Sequence, residues 1–177
     1  MKTETLNKVT ETTNELLNVV SALSEEQINK IPFEGSWTAG QVTDHISQSF
    51  DGVIKIVNDK AVPTERAPDK KVELIKGIFL DFTTKMSSPE FVLPAQPPHK
   101  KEILVDNLKS LTKQMTDAIN KQDLSFIYTD FEIPGFGKFT RLEWINFLIY
   151  HMQRHTHQIK NIQQLVKKEE GGYPKAK

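Results

Sequence analysis

Apolar residues recur about every three or four positions along four long stretches of this chain, the spacing that gives a helix one hydrophobic face. The stretches cover about residues 3–23, 38–58, 101–121 and 140–168. Polar residues fill the positions between, so each predicted helix is expected to bury one face and expose the other. The apolar positions include Leu6, Val9, Leu16, Val20, Val42, Ile46, Val53, Leu104, Leu108, Leu111, Met115, Ile145, Leu148, Ile149, Met152, Ile159 and Ile162.

Three predicted helix starts carry a capping-box signature, in which Ser or Thr is followed three residues later by Gln or Glu. Thr38 with Gln41 opens the second long stretch, and Thr140 with Glu143 opens the last one. Ser24 opens a short helix that is expected to end before the next proline. These signatures fix where the helices begin more firmly than the apolar spacing does.

The remaining segments predict one shorter helix and two irregular connections. A helical pattern covers about Lys70–Lys85, whereas prolines interrupt residues 59–69 and 86–100, which therefore cannot continue a helix. No stretch gives a convincing strand pattern. The sequence predicts an all-α fold, a four-helix bundle with long irregular connections. We expect one domain over residues 1–177, with a flexible tail at 169–177.

The composition is that of an ordinary globular protein, with 37% hydrophobic and 26% charged residues in 177. Lys plus Arg equals Asp plus Glu at 23 each, so no basic excess favours a nucleic-acid partner. No apolar run reaches the roughly 18 residues of a membrane span, and the amino-terminal segment lacks a signal-peptide core. The chain has no cysteine, which excludes thiolate sites. We expect a cytoplasmic protein without nucleic-acid or membrane partners.

Three of the five histidines fall within seven residues, in the stretch HMQRHTHQI. At about 100° per residue, His155 lies inside the apolar face of the last helix and His151 at its edge, one turn earlier. His157 is expected to face solvent. His45 flanks the apolar face of the second long helix, and His99 lies in a proline-rich connection that gives it no assigned role. Three imidazoles from two helices would form an open metal site with a free position for water or substrate.

Helical periodicity alone leaves two interpretations of these histidines open. An inward-facing histidine is more often a hydrogen-bonded core residue than a ligand, and an HxxxH pair by itself is a weak signal. A companion histidine on the inner edge of another helix gives the metal-ligand interpretation about the same weight as the interpretation as hydrogen-bonded core residues.

Two motifs are similar to those of a known family. GSWTAGQVTDHISQS resembles the early histidine helix of the DinB-like (YfiT-like) four-helix-bundle metalloproteins, and GFGKFTRLEWINFLIYHMQRHTHQIKNIQ resembles their last helix. In that family an HxxxH pair precedes Gln-Ile, as it does here, and a proline-rich segment separates the two motifs. The resemblance covers most of the chain, although its specificity lies in about forty residues.

The resemblance implies a divalent metal, zinc or nickel, held by His45, His151 and His155. Some members of the family are thiol transferases that use a low-molecular-weight thiol such as bacillithiol, and others are described as metal-dependent hydrolases. Where many relatives have Gly before the Gln-Ile, this chain has His157, so the substrate does not carry over. By analogy with other bundles, helix faces permit a homodimer.

Other side chains near the histidines receive weaker assignments, and no catalytic side chain is named. Asp44 and Glu143 are expected to point away from the site as surface and cap residues. Gln158, about one turn after His155, is expected either to orient a ligand or to make a structural hydrogen bond. Trp37 is expected to make a packing contact rather than to line a pocket mouth. The loop before the last helix carries aromatic residues that are expected to anchor the core rather than cap a pocket: Phe131, Phe136 and Phe139.

The leading hypothesis for function is a metal-dependent enzyme that activates water or a low-molecular-weight thiol for attack on a small-molecule substrate. It covers both a hydrolase and a bacillithiol-type transferase. The alternative is a non-catalytic helical module that binds a small molecule or a partner protein, with a structural or vestigial metal site. The alternative predicts no turnover, and tolerance of substitution at the histidines.

Overall fold

A computed structural model describes the backbone of residues 1–171 and the side chains of residues 1–169. It contains two two-residue strands, β1 (Ala61–Val62) and β2 (Ile127–Tyr128), and a 3-10 turn at Glu90–Val92. The helices, in chain order, are α1 (Lys2–Ser21), α2 (Glu25–Asn29), α3 (Ala39–Asn58), α4 (Val72–Phe79), α5 (Lys101–Lys121) and α6 (Arg141–Gly171).

The four long helices form a four-helix bundle, which confirms the predicted all-α fold. Helix α3 packs against α5 and α6, and α1 packs against the same two helices, so α1 and α3 face each other across the bundle. The short α4 packs on the outside of α6. Among the described residues, no helix is both long and apolar enough to cross a membrane. The largest fully buried side chains include Leu16, Phe50, Leu108, Met115, Phe139 and Trp144.

The capping boxes form where the sequence predicts them. The Thr38 hydroxyl accepts a hydrogen bond from the Gln41 backbone N–H at 3.1 Å, and the Gln41 side chain accepts one from the Thr38 N–H at 3.1 Å. Thr140 and Glu143 make the same reciprocal pair at 3.1 and 2.9 Å. Each box satisfies two backbone donors that a helix start leaves open, and so fixes where α3 and α6 begin.

The predicted helix over Lys70–Lys85 is wrong in its extent, because α4 covers only Val72–Phe79. The Asp81 carboxylate accepts hydrogen bonds from the backbone N–H of Thr83 at 3.0 Å and from its hydroxyl at 2.6 Å. A short polar side chain that captures a nearby N–H offers the backbone a turn in place of a helix. The apolar spacing beyond residue 80 therefore belongs to a loop.

Two further details differ from the sequence prediction. The antiparallel strands pair Ala61 with Tyr128 and Val62 with Ile127, although no strand was expected. Two residues are too few to show the alternation that identifies a strand in sequence. Helix α6 continues to Gly171, so the first residues of the predicted tail at 169–177 are helical, and residues 172–177 lie outside the described part of the chain.

Candidate metal centre

Three histidines from two neighbouring helices meet inside the bundle. His45 comes from α3, and His151 and His155 come from successive turns of α6. The Nε2 of His151 lies 3.1 Å from the Nε2 of His45 and 3.0 Å from the Nε2 of His155. One ring nitrogen from each residue lies within 4.8 Å of the other two. His45 and His151 are buried, and His155 is partly exposed. The packing of α3 on α6 thus assembles a compact group of three imidazoles.

The outer nitrogens of two of these rings are held by hydrogen bonds. Nδ1 of His45 lies 2.7 Å from the Val92 carbonyl oxygen, and Nδ1 of His155 lies 2.8 Å from Oε1 of Gln158. Both partners are oxygens that only accept, so each Nδ1 must carry the proton and donate it. In a neutral ring this leaves a lone pair on Nε2. His45 and His155 therefore both direct lone pairs toward the centre of the group.

His151 is left with unsatisfied hydrogen-bonding atoms. Its buried Nδ1 has no hydrogen-bond partner among the described residues. Its Nε2 faces the nitrogens of His45 and His155, and a single N–H cannot donate fully to both. A cation among the three Nε2 atoms would resolve the repulsion between lone pairs. The donor set, three imidazole nitrogens, is one that zinc and nickel accept. The residues present therefore fit a divalent metal.

The surroundings keep the three rings neutral. Burial lowers the pKa of His45, and it lowers the pKa of His151 well below the ordinary histidine value, with the neighbouring His155 adding to the effect. Burial and then His45 lower the pKa of His155 to about 4. Neutral imidazole is the form that binds a metal, because protonation removes the lone pair.

The histidine group lies at the wall of a large cavity of 1370 Å³. The Trp37 ring lies 5.2 Å from the His45 ring, and Phe147 stacks on His151 at 5.7 Å with the planes only 9° apart. Phe79 presents its ring to His151 edge-on at 6.0 Å. Apolar rings that themselves line the cavity therefore flank the imidazoles, and the cavity gives a small molecule access to them.

Comparison with known proteins places the chain in a family. A sequence model of the DinB superfamily matches residues 8–159. The chain belongs to the DinB superfamily. It is similar to "Uncharacterized protein YuaE" of Bacillus subtilis (strain 168), with 27% identity over 160 residues that cover 87% of this chain and 94% of YuaE. The family suggested by the two sequence motifs is thereby confirmed.

A solved structure supports the architecture of this DinB-superfamily chain. The crystal structure of TT2238, a four-helix bundle protein, covers 91% of this chain and is itself covered to 99%, with a TM-score of 0.54. The two sequences are 17% identical, so the likeness concerns the fold alone.

The acidic residues near the histidines in sequence stay away from the group. Glu143 caps α6 as predicted, by accepting a hydrogen bond from the Thr140 N–H, and its side chain is fully buried. It accepts two hydrogen bonds from the Arg66 guanidinium, at 2.5 and 2.7 Å, and one from the Lys71 N–H at 2.8 Å. Asp44 accepts from the Ala95 N–H at 2.8 Å. Both carboxylates are occupied by structural contacts.

The two remaining histidines lie outside the group. His157 is exposed, as its helical position predicts, and its ring stacks on Phe82 at 4.2 Å beside the cavity. His99 is packed against α3, where its ring comes within 3.8 Å of the Asp44 carboxylate and its Cβ lies against Gly40. Neither ring reaches the three converging nitrogens, so the helical-wheel selection of His45, His151 and His155 agrees with the structure's grouping.

The predictions for the aromatic residues near the site agree with the structure only in part. Trp37 packs on His45 and also lines the cavity, so the expected packing contact is only part of its role. Phe139 is buried against Trp144 as predicted, whereas Phe131 is exposed and lines the cavity. Sequence reasoning missed the Val92 carbonyl that orients His45. A backbone acceptor in an irregular segment leaves no signal in residue type.

Proposed function

We propose that this protein is a divalent-metal-dependent enzyme in which His45, His151 and His155 hold the ion, zinc or nickel. The observation that carries the proposal is the convergence of three Nε2 atoms at the wall of a cavity open to small molecules. A bound divalent ion supplies a Lewis acid that lowers the pKa of a water or of a low-molecular-weight thiol. The reaction is then hydrolysis or thiol transfer, with bacillithiol as the type of thiol.

The chain's own residues orient the site and limit its access to water. Val92 and Gln158 fix the tautomer and the rotation of His45 and His155, as outer hydrogen-bond partners do for metal-binding histidines in general. Trp37 and Phe147 cover two of the rings. Because the chain contains no cysteine, a thiol nucleophile has to arrive as a cosubstrate. A homodimer stays a prediction.

The proposal is tested by turnover with protein loaded with zinc or with nickel. Carboxylic esters test hydrolysis, and an activated aryl halide or epoxide with a supplied thiol tests thiol transfer. We expect turnover in one of the two assays, abolished by His45→Ala, His151→Ala or His155→Ala. Gln164→Ala is the matched control, because it truncates an exposed side chain of the same helix outside both the histidine group and the cavity lining, and it should retain activity.

A non-catalytic module gives a different pattern in the same experiment. It shows no turnover in either assay with either metal, while the three histidine variants stay folded. Unfolding of the protein on removal of metal would instead indicate a structural site. Absence of turnover in both assays, with or without such unfolding, would overturn the proposed activity.

A further inference from the structure

The exposed phenylalanines of this protein are concentrated at one place. Among the described residues, four phenylalanine side chains are exposed, and all four line the 1370 Å³ cavity that contains the histidine group. They come from four separate segments, so no single helix face accounts for them. The exposed fractions are 61% for Phe33, 49% for Phe82, 70% for Phe91 and 42% for Phe131.

We call the four exposed phenylalanines, Phe33, Phe82, Phe91 and Phe131, the rim of the cavity. The apolar lining continues from this rim to the histidines. Phe131 stacks near Trp144 at 5.9 Å, and Trp144 contacts Phe147 at 5.6 Å, which in turn stacks on His151. Trp37, another lining residue, contacts His45. Aromatic surface thus extends without interruption from the mouth of the cavity to the imidazole rings. Pockets for drug-sized ligands have volumes of roughly 300–1,000 Å³, so this cavity has room for far more than a water molecule.

Three of the five acidic and basic side chains that line the cavity, Asp51, Lys55 and Arg154, have partners within the protein. Lys55 pairs with Asp51 at 2.6 Å on the same helix. Arg154 donates to three backbone carbonyls between residues 79 and 84. The other charged lining residues are Lys85 and Glu132, which carry opposite signs. The lining therefore offers no cluster of free positive charge of the kind that recognises a carboxylate or phosphate.

Two side chains of α6 anchor residues 79–86, which form one side of the cavity. Arg154 binds the backbone of this segment, and His157 stacks on Phe82 with the ring planes 18° apart. Both anchors come from α6, which also carries two of the three grouped histidines. An apolar surface kept open beside the histidines is suited to a ligand.

We propose that the cavity binds an uncharged, largely apolar small molecule that carries an aromatic ring, and that this is the substrate class of the site. The inference rests on the proposed function only in taking the histidine group as the place where the molecule reacts. Recognition comes from contacts of the ligand ring with Phe91 and Phe131, whose own rings meet edge-on at 6.2 Å, and with Trp37 and Phe147 next to the imidazoles. These ring contacts add to the apolar area removed from water.

The test uses the neutral fluorophore N-phenyl-1-naphthylamine with the full-length protein. We expect saturable binding that brightens and blue-shifts its emission, at about one molecule per chain. The double variant Phe91→Ser with Phe131→Ser should raise the dissociation constant of the fluorophore at least about tenfold, because each change removes a ring that would be buried against the bound fluorophore. Ile103→Ser is the matched control, since Ile103 is 66% exposed on α5 and away from the cavity. It should change the constant less than about twofold.

Equal effects of the rim and control substitutions, or no saturable binding, would overturn the proposal. So would a native dimer that the rim substitutions dissociate without a change in fluorophore binding, because the rim would then be a protein interface. Metal content measured on the same samples separates this inference from the proposed function. Binding by protein that takes up no zinc or nickel supports the cavity proposal alone, and metal without fluorophore binding supports the metal centre alone.

Discussion

Helix α6 contributes to two buried polar clusters that differ in how completely their atoms are satisfied. At its start, Glu143 accepts hydrogen bonds from Arg66, Lys71 and Thr140, and its acceptor capacity is largely used. Two turns later, His151 has a buried Nδ1 with no partner among the described residues, and its Nε2 is crowded by two other imidazoles. A satisfied cluster stabilises a fold, whereas lone pairs crowded together at the wall of a cavity are the arrangement that a bound cation would stabilise.

The largest effect on stability is expected at the satisfied cluster. Glu143→Ala leaves the Arg66 guanidinium and the backbone N–H of Lys71 and Thr140 without their shared acceptor. Breaking a buried ion pair costs about 3–5 kcal/mol in the free energy of unfolding. Thermal or urea unfolding measures this loss. Arg66→Ala should give a loss of similar size, because it leaves the fully buried Glu143 carboxylate without its cation. A loss below about 1 kcal/mol for Glu143→Ala would show that the cluster is not the stabilising one.

Substitution in the histidine cluster should abolish metal binding but change the free energy of unfolding only slightly. His151→Ala is expected to eliminate metal binding and to change the unfolding free energy of the metal-free protein by less than about 2 kcal/mol, since it removes an orphaned polar atom together with some packing. Isothermal titration with zinc and urea unfolding of the metal-free variant measure the two quantities. Normal metal affinity in this variant would contradict the assignment.

A smaller effect is expected from the residue that orients His155. Gln158→Leu removes the acceptor for the His155 Nδ1 proton and should weaken metal affinity by about 10–100-fold. Gln164→Leu, at an exposed position of the same helix, is the matched control and should leave the affinity unchanged. If both substitutions have the same effect, the Gln158 contact does not act through the metal site.

The smallest effect is expected at His157, an exposed histidine outside both clusters. His157→Ala should change the unfolding free energy by less than about 1 kcal/mol and leave the bound metal unchanged, because the side chain is exposed and loses only its stack on Phe82. Thermal melts and metal analysis test this together. Loss of metal in this variant would contradict the assignment of His45, His151 and His155 as the full set of protein ligands.

The helix starts and the histidine group were accessible from sequence because they depend on local rules. Thr38 and Thr140 cap helices through contacts three residues away, and His151 and His155 share a face because they are four residues apart. That His45 faces the same point required only that α3 and α6 pack against each other, which their apolar faces and the family motifs both suggested.

The structural features that the sequence did not predict depend on irregular segments and on contacts between residues far apart in the chain. The Val92 carbonyl that orients His45 and the exposed Phe91 belong to a proline-containing connection whose path follows from tertiary contacts. The early end of α4 depends on Asp81 capturing the Thr83 N–H, which competes with a helical pattern of equal local strength. The burial of Glu143 depends on Arg66, which lies 77 residues away in the chain.

The most direct test of the metal centre is metal analysis by mass spectrometry of untagged protein purified without chelators or metal-affinity resin. We expect about one equivalent of zinc or nickel per chain, retained in His157→Ala and lost in His45→Ala, His151→Ala and His155→Ala. A native protein that contains no metal, and takes up neither zinc nor nickel when they are added, would contradict the metal centre.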